Sequence, residues 1–231
     1  WFVYSIYDPL YDYHYLKRPY QLQPNVAEGM PRVIYRDAQG NELPADAPVE
    51  SIAETVYEIR IRPGIRYQPH PAFALDAEGR PLYADLDEAS LGERSQIGDF
   101  EHTGTRELDA ADFAYQIKRL VRPRIESPGL AIFNQIVGLE DLAARLQADV
   151  DAGRLDPGGW IDMRQFPLEG VETPDPHTLR IRIRGKYPQF LNWLATTFVV
   201  PVPWEAERFY AQPGMARREL TLDMWPVGTG P

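Results

Sequence analysis

Alternating apolar and polar side chains mark two segments of the chain as sheet strands. Residues 55–62 (Thr-Val-Tyr-Glu-Ile-Arg-Ile-Arg) alternate until Pro63–Gly64, and residues 178–184 (Thr-Leu-Arg-Ile-Arg-Ile-Arg) alternate after a proline-rich turn. A period of two turns one face of a strand to a core and the other to water. Both segments are therefore predicted to be half-buried strands. Arg32–Arg36, which leads into a polar turn at 37–41, is predicted to be a third.

Helical spacing predicts two longer helices. Asp109 is placed to cap a helix over residues 110–121, where apolar side chains recur at intervals of four and three, and Arg122–Pro123 ends it. A second helix is predicted over 139–152, closed by Gly153. Shorter helices are predicted at 25–28, 189–195 and 203–210, and a long loop at 66–105. The fold class is α/β or α+β with a mixed sheet.

The first fifteen residues are dense in aromatic side chains. They suit a buried strand that runs into a turn or short helix at Asp8–Pro9. Tyrosines offer flat faces and a hydroxyl group, which suits a ligand cleft, but core packing explains the same residues. Both interpretations stay open. The aromatic residues are Trp1, Phe2, Tyr4, Tyr7, Tyr11, Tyr13 and Tyr15.

Composition narrows the function classes. A formal net charge of −10 over 231 residues argues against a nucleic-acid partner, because such proteins need a basic surface. No cysteine is present, which excludes disulfides, thiolate metal sites and a cysteine nucleophile. No apolar run is long enough to span a bilayer. The chain begins at Trp1 and ends in a turn-forming string, so we expect it to be part of a longer protein.

The sequence offers no catalytic constellation. The four histidines (His14, His70, His102 and His177) form no metal-binding spacing, and no nucleophile elbow, phosphate loop or dinucleotide motif occurs. The many carboxylates are expected to be solvated. We therefore predict no catalytic residue, no metal site and no cofactor, and the chain is not predicted to be an enzyme.

Several motifs, in order along the chain, resemble the family 5 extracellular solute-binding proteins of ABC importers, the oligopeptide- and dipeptide-binding type. Residues 5–13 resemble the family's early strand and turn, and residues 22–28 resemble its L-x-P-x-L-A-E element. Residues 57–67 resemble its F-x-L-R-x-G-V-x-F strand. Residues 108–120 are similar to T-A-x-D-V-x-x-S-x-x-R, and 170–181 to the G-V-x-x-x-D-x-x-T-L strand. Residues 187–191, 201–203 and 226–231 complete the series.

The resemblance implies a lobe of the type II periplasmic-binding-protein kind with an inserted accessory subdomain. Residues 1–20 and 170–231 are expected to form the sheet of the first lobe, and residues 21–169 the accessory subdomain. A second ligand-binding lobe is expected after residue 231 and is absent from this chain. Since ligand burial needs both walls, we expect the isolated chain to bind weakly or not at all. A micromolar affinity of the isolated chain would contradict this expectation.

The resemblance also implies the ligand site and the function. The turn at Tyr7–Asp8 borders the family's cleft, so Tyr7 and Asp8, with Tyr11 and Trp193 as further residues, are predicted to contact ligand. Asp8 is suited to a cationic group, although an acid that merely starts a turn explains it equally. The implied function is capture of a small solute, a peptide, for the membrane permease subunits of an ABC importer. The protein is expected to be a monomer in the periplasm, or tethered outside the membrane.

Other ligands and another class of function stay open. The same fold binds nickel chelates, opines or oligosaccharides in other members of the family. A ligand sensor would keep the fold without transport. A carboxylate-dependent hydrolase is the alternative from a different class, and it requires convergent carboxylates in a deep cleft.

Overall fold

Five antiparallel strands form the sheet on which the remaining elements pack. The computed structural model describes residues 6–125 and 127–230. The order across the sheet is β4-β3-β5-β7-β6, and β1 pairs with β2 in a separate two-stranded ribbon. The strands are β1 (Tyr11–Tyr13), β2 (Leu22–Pro24), β3 (Arg32–Arg36), β4 (Glu42–Leu43), β5 (Glu54–Arg60), β6 (Val171–Asp175) and β7 (Thr178–Arg184).

Six α-helices accompany the strands in the described part of the chain. They are α1 (Glu88–Leu91), α2 (Ala110–Arg119), α3 (Gly129–Phe133), α4 (Leu139–Asp151), α5 (Phe190–Trp193) and α6 (Trp204–Tyr210). Single 3₁₀ turns lie at Val49–Ser51, Pro71–Phe73, Ile97–Asp99, Met163–Gln165, Thr197–Val199 and Ala216–Arg218. Among the described helices, none is both long enough and apolar enough to cross a membrane.

The two alternating segments pair with each other as β5 and β7. Tyr57 lies opposite Ile181 and Ile59 opposite Leu179, and all four side chains are buried. On the other face, Arg180 Nε donates to Glu58 Oε2 at 2.7 Å. The predictions of β3, β5 and β7 are confirmed. The predicted mixed sheet is wrong for the described strands, all of which pair antiparallel, because tight turns join β3 to β4 and β6 to β7.

The predicted cap organises the helix that covers the sheet. The Asp109 carboxylate accepts from the backbone N–H of Asp112 at 3.2 Å, and the Asp112 carboxylate accepts from the N–H of Asp109 at 3.1 Å. This reciprocal pair satisfies two of the free donors at the start of α2. Phe113 and Ile117 of α2 join Leu142 and Leu146 of α4 in the core cluster that contains the buried sheet residues. The predictions of both helices are confirmed.

Some local predictions are wrong. Residues 25–28 form no helix, because the backbone N–H groups of Asn25 and Ala27 donate to Leu10 O, and that of Glu28 donates to Arg60 O at 2.8 Å. The helix predicted at 189–195 is the shorter α5, and α3 has no counterpart in the prediction. The irregular stretch 66–105 is confirmed as mainly loop, although α1 and two single turns interrupt it. The strand predicted before Asp8 lies largely outside the described residues.

One arginine ties the end of the long loop to two helices. Arg106 Nη2 donates to Asp112 Oδ1 at 2.6 Å, and its Nε donates to Glu205 Oε1 at 2.7 Å. The guanidinium also lies over the Tyr67 ring, 5.1 Å from its centroid. Because a planar guanidinium can satisfy two carboxylates at once, this contact joins the loop to α2 and α6.

The two predicted segments share the sheet. Strands β3, β4 and β5 come from residues 21–169, whereas β6 and β7 come from 170–231. β5 and β7 pair along their full length. The five-stranded sheet therefore includes strands from both sides of the expected boundary at residue 170. The division of the chain into a first lobe and an accessory subdomain stays a prediction.

A close backbone approach at Gly170 gives a test of this arrangement. A Cβ at Gly170 would lie 2.6 Å from Val137 O and 2.7 Å from Val137 N. Replacing Gly170 with alanine is expected to lower the free energy of unfolding by about 2 kcal/mol, since backbone must shift to accept the methyl group. Urea unfolding measures the change. The matched control is Gly98→Ala, because nothing lies within 4 Å of the added carbon there. Equal effects of the two substitutions would contradict this packing.

Candidate functional site

A cavity of about 290 Å³ opens beside the N-terminal segment that the sequence singles out. Tyr7 forms part of one wall, and two polar residues of α2 form another. Apolar side chains from the stretches 197–202 and 222–226 complete it. The lining residues are Ile6, Tyr7, Gln116, Arg119, Thr197, Val200, Val202, Leu222, Asp223 and Pro226.

The wall at Tyr7 is held by the last described residues of the chain. Thr229 Oγ1 donates to Asp8 Oδ2 at 2.9 Å, and the N–H of Gly230 donates to Ile6 O at 2.9 Å. A Cβ at Gly228 would lie 1.9 Å from Ile6 O, so only glycine permits this approach. Asp8 therefore has a partner within the chain, and its hydrogen bond ties the irregular segment beside the cavity to the end of the chain.

Tyr7 presents a neutral phenol to the cavity. Burial raises the pKa of its hydroxyl, while a hydrogen bond with the Val227 backbone and the positive charge of Arg119 oppose this increase. The nearby Asp223 carboxylate raises the pKa further. Since an ordinary tyrosine is already protonated at neutral pH, Tyr7 offers a hydroxyl group and an aromatic face.

Arg119 is positioned by a buried carboxylate. Its Nε donates to Glu207 Oε1 at 2.8 Å, and its Nη1 donates to Gln116 Oε1 at 2.7 Å. Glu207 also accepts from Arg122 Nη1 at 2.5 Å and from the Tyr115 hydroxyl. The Glu207 side chain is only 7% exposed. Two guanidinium groups thus share one buried acid, and Asp223, which also lines the cavity, is a second acid at this corner.

A second cavity of about 340 Å³ meets the first at Arg119, Leu222 and Asp223, which line both. Arg122 and Glu207 lie in its wall, together with residues 210–217. The junction therefore carries an arginine and an aspartate. Opposite charges at one junction suit a ligand that carries both signs, as a zwitterion does.

A buried histidine lies behind Tyr210, which lines the second cavity. His70 Nδ1 accepts from the N–H of Ala72 at 3.1 Å, so the single ring proton of the neutral form belongs to Nε2. His70 Nε2 lies 2.8 Å from Tyr210 Oη, which in turn donates to Trp225 O at 2.7 Å. Burial lowers the pKa of His70 to about 4, and this chain of hydrogen bonds holds the neutral ring.

The structure separates the four residues predicted to contact ligand. Tyr7 lines the first cavity. Asp8, the next residue, is not among the lining residues and instead accepts from Thr229 Oγ1. Tyr11 is fully buried in β1, burial raises the pKa of its hydroxyl, and that hydroxyl has no hydrogen-bond partner within the described residues. Trp193 lies at the end of α5, where its Nε1 donates to Tyr187 Oη at 3.0 Å, and it lines neither cavity.

The sequence predictions do not include the charged lining residues. Gln116 and Arg119 are three apart on α2, a spacing that places them on one face of the helix. That spacing is the available signal, but it equally suits a solvated helix face. Asp223 follows the last helix in a stretch without a period. Within the described part of the chain, no group of three or more metal-ligating side chains converges.

Comparison with known proteins yields structural matches. No family model matches the sequence, and no curated protein matches it. The pheromone receptor PrgZ matches over 99% of this chain with a TM-score of 0.53 and 18% identity. The substrate-binding domain of an oligopeptide ABC transporter from Bacillus anthracis matches over 100% with a TM-score of 0.51 and 15% identity.

A third match is DppA from Helicobacter pylori, an ABC transporter-associated periplasmic binding protein in complex with the peptide STSA. It covers 98% of this chain with a TM-score of 0.50 and 15% identity. The chain spans about 30% of the length of these structures. At this identity the likeness shows the fold. The chain has the mixed α/β fold of these peptide-binding proteins, and the fold that its motifs imply is confirmed at that level.

The buried carboxylate beside the cavity gives the next prediction. Replacing Glu207 with glutamine is expected to lower the free energy of unfolding by about 3 kcal/mol or more, because Arg119 and Arg122 lose their buried counter-charge. Chemical denaturation measures the change. The control is Glu88→Gln, whose partner Arg217 is exposed, and it should cost under about 1 kcal/mol. If the Glu207 variant were as stable as this control, the contacts of Glu207 with Arg119 and Arg122 would not contribute to the stability of the fold.

His70 predicts a pH dependence of stability. In the unfolded chain its pKa is near 6.5, and in the folded chain it is about 4. Between these values the unfolded state binds a proton that the folded state does not. The free energy of unfolding should therefore fall as the pH falls from 6.5 to 4, by about 1.4 kcal/mol per pH unit from this residue.

The contribution of His70 is the difference in the free energy of unfolding between the natural protein and a His70→Gln variant at each pH. Denaturation across the pH window should show a weaker pH dependence in the variant. His102→Gln is the matched control, since His102 is exposed. Parallel curves for the natural protein and the His70 variant would contradict the assignment of a neutral, buried ring.

Proposed function

We propose that the protein binds a peptide as the substrate-binding component of an ABC importer outside the cytoplasmic membrane. The observation that carries this proposal is the match of almost the whole chain to three peptide-related binding proteins. The likeness supports the fold, and the ligand and transport role are inferred from what those proteins are named for. The permease subunits, a monomeric state and an exported location belong to the same proposal.

The cavity chemistry supports a peptide ligand. A peptide carries amide groups, a charged amino group and a carboxylate, and its side chains are often apolar. The cavity offers the phenol of Tyr7, the amide of Gln116 and an apolar wall, with Arg119 and Asp223 as groups of opposite charge. Few polar groups in a mainly apolar concave site are typical of small-ligand pockets.

Within this proposal the predicted contact residues have different roles. Tyr7 is the residue best placed to contact the ligand. Asp8 acts by holding the segment that contains Tyr7 through its hydrogen bond with Thr229. Tyr11 and Trp193 lie outside the cavity lining, so any contact they make requires a part of the ligand that extends beyond it.

The other functions have weaker support. A hydrolase of the carboxylate-dependent kind needs two free acids that face one bond. At the junction of the cavities the acids are Asp223 and Glu207, and Glu207 is held by Arg119, Arg122 and Tyr115. A ligand sensor has one specific argument, because one matching structure is named a pheromone receptor. Peptide binding is common to the sensor and the transporter.

Ligand-induced stabilisation of the natural protein that contains this chain tests the proposal. Di- to pentapeptides, nickel chelates and oligosaccharides are screened by thermal unfolding. A peptide at about a hundred times its dissociation constant should stabilise the folded state by about 2.7 kcal/mol. Tyr7→Ala should weaken peptide binding about tenfold or more, because a stacking face and a hydroxyl are lost.

The matched control is Tyr35→Ala, since Tyr35 lies in β3 and lines neither cavity. Its peptide affinity should equal that of the natural protein. If only chelates or only sugars stabilised the protein, the proposed ligand would be that class of compound and not a peptide. A folded protein that responds to none of the compounds would overturn solute binding altogether.

A further inference from the structure

The loop between β1 and β2 presents large apolar and aromatic side chains to solvent. We call residues 14–20 the aromatic loop. Tyr15 is 87% exposed, Leu16 is 77% exposed and Tyr20 is 68% exposed. Single exposed apolar residues are ordinary, whereas a contiguous group of them marks an interaction site. The peptide proposal makes no use of these side chains.

Contacts within the aromatic loop hold these side chains in place. The N–H of His14 donates to Gln21 O at 2.8 Å, which extends the ribbon beyond the pairing of Tyr13 with Leu22. Arg18 Nη1 donates to Tyr15 O at 3.2 Å and to Lys17 O at 2.9 Å. The Arg18 guanidinium also lies over the Tyr20 ring, 4.2 Å from its centroid. The loop is therefore a preformed structure that displays Tyr15 and Leu16 outward.

The charge of the aromatic loop is opposite to that of the protein. It contains Lys17 and Arg18 and no acidic residue, in a chain whose formal net charge is −10. A basic and aromatic projection on an acidic protein is complementary to a negatively charged partner. It also restricts contact with such a partner to the loop, because the rest of the protein is repelled.

We propose that the aromatic loop binds the surface of an anionic lipid bilayer. Leu16 and the Tyr15 ring lie at the boundary between headgroups and acyl chains, where amphipathic rings are favoured. Lys17 and the remaining guanidinium donors of Arg18 bind lipid phosphates, since an arginine carries five N–H donors. The contact is peripheral and reversible, because only two cations and a few apolar groups take part.

The size of the patch favours a bilayer over a protein partner. A stable protein interface uses roughly 20–30 residues on each side. The aromatic loop supplies far fewer, and its large side chains project from one narrow turn. A bilayer accepts a few inserted side chains without a matching surface. This inference does not rest on the proposed ligand, because it uses none of the cavity residues.

Co-sedimentation of the natural protein with vesicles tests the proposal. Mixed phosphatidylglycerol and phosphatidylcholine vesicles should bind the protein, and pure phosphatidylcholine vesicles should bind it much less. High salt should release it, since the attraction to phosphates is screened. The double variant Lys17→Glu, Arg18→Glu should lower the partition coefficient about tenfold or more.

The matched control is Arg32→Glu with Arg62→Glu, which changes the net charge equally at two exposed residues outside the loop. It should retain most of the vesicle binding. The sequence already contains five tryptophans, so the emission of a Leu16→Trp variant is compared with that of the natural protein under the same conditions. The difference spectrum should shift to shorter wavelength with anionic vesicles only, which reports insertion of the loop. Because these positions are exposed, all variants should keep the far-ultraviolet circular dichroism of the natural protein.

Two outcomes would overturn the proposal. One is equal binding to anionic and neutral vesicles, including none to either. The other is loss of binding in the control variant to the same extent as in the loop variant. A loop that instead docks on another protein, or on a further segment of a longer chain, would give the first of these outcomes. Peptide-induced stabilisation is measured without vesicles, so the two proposals succeed or fail separately.

Discussion

The pairing of β5 with β7 is the contact on which the other elements depend. It joins residues more than a hundred positions apart along the chain, Glu54 with Arg184 at one end and Arg60 with Thr178 at the other. Such a contact is costly in chain entropy and must be offset by burial of the face that contains Tyr57, Ile59 and Ile181. Once formed, it fixes the surface on which α2 packs, and α2 supplies the polar wall of the cavity.

Buried ion pairs then fix the position of the helices that form this wall of the cavity. Glu207 brings Arg119 and Arg122 of the α2 region to α6, and Arg106 brings Asp112 and Glu205 together in a similar way. Two apolar faces would pack with comparable stability but with less restriction on direction. The hydrogen bonds of these groups have fixed geometry. We infer that the ion pairs set the position of α6 against α2, and with it the shape of the two cavities.

An element could be predicted from the sequence when the residues that determine it are neighbours in the sequence. β5 and β7 alternate with a period of two, and Asp109 with Asp112 forms a local cap, so the sequence alone suffices for these. Residues 25–28 have the local pattern of a helix start, yet their N–H groups bond to Leu10 and Arg60 far along the chain. No local pattern contains those partners. The likeness of the ordered motifs predicted the fold better than the periodicities did, because motif order reflects the whole topology.

The site was harder to predict for the same reason. Tyr7 was recognisable from an aromatic segment before a turn, but its neighbours in the cavity come from three stretches that only the folded chain unites. Arg119 looks like any charged residue on a helix until Glu207 is seen beside it. Tyr11 shows the converse: a tyrosine in the same segment is fully buried, since β1 turns it into the core. A side chain's chemistry is local, whereas its exposure is decided by the fold.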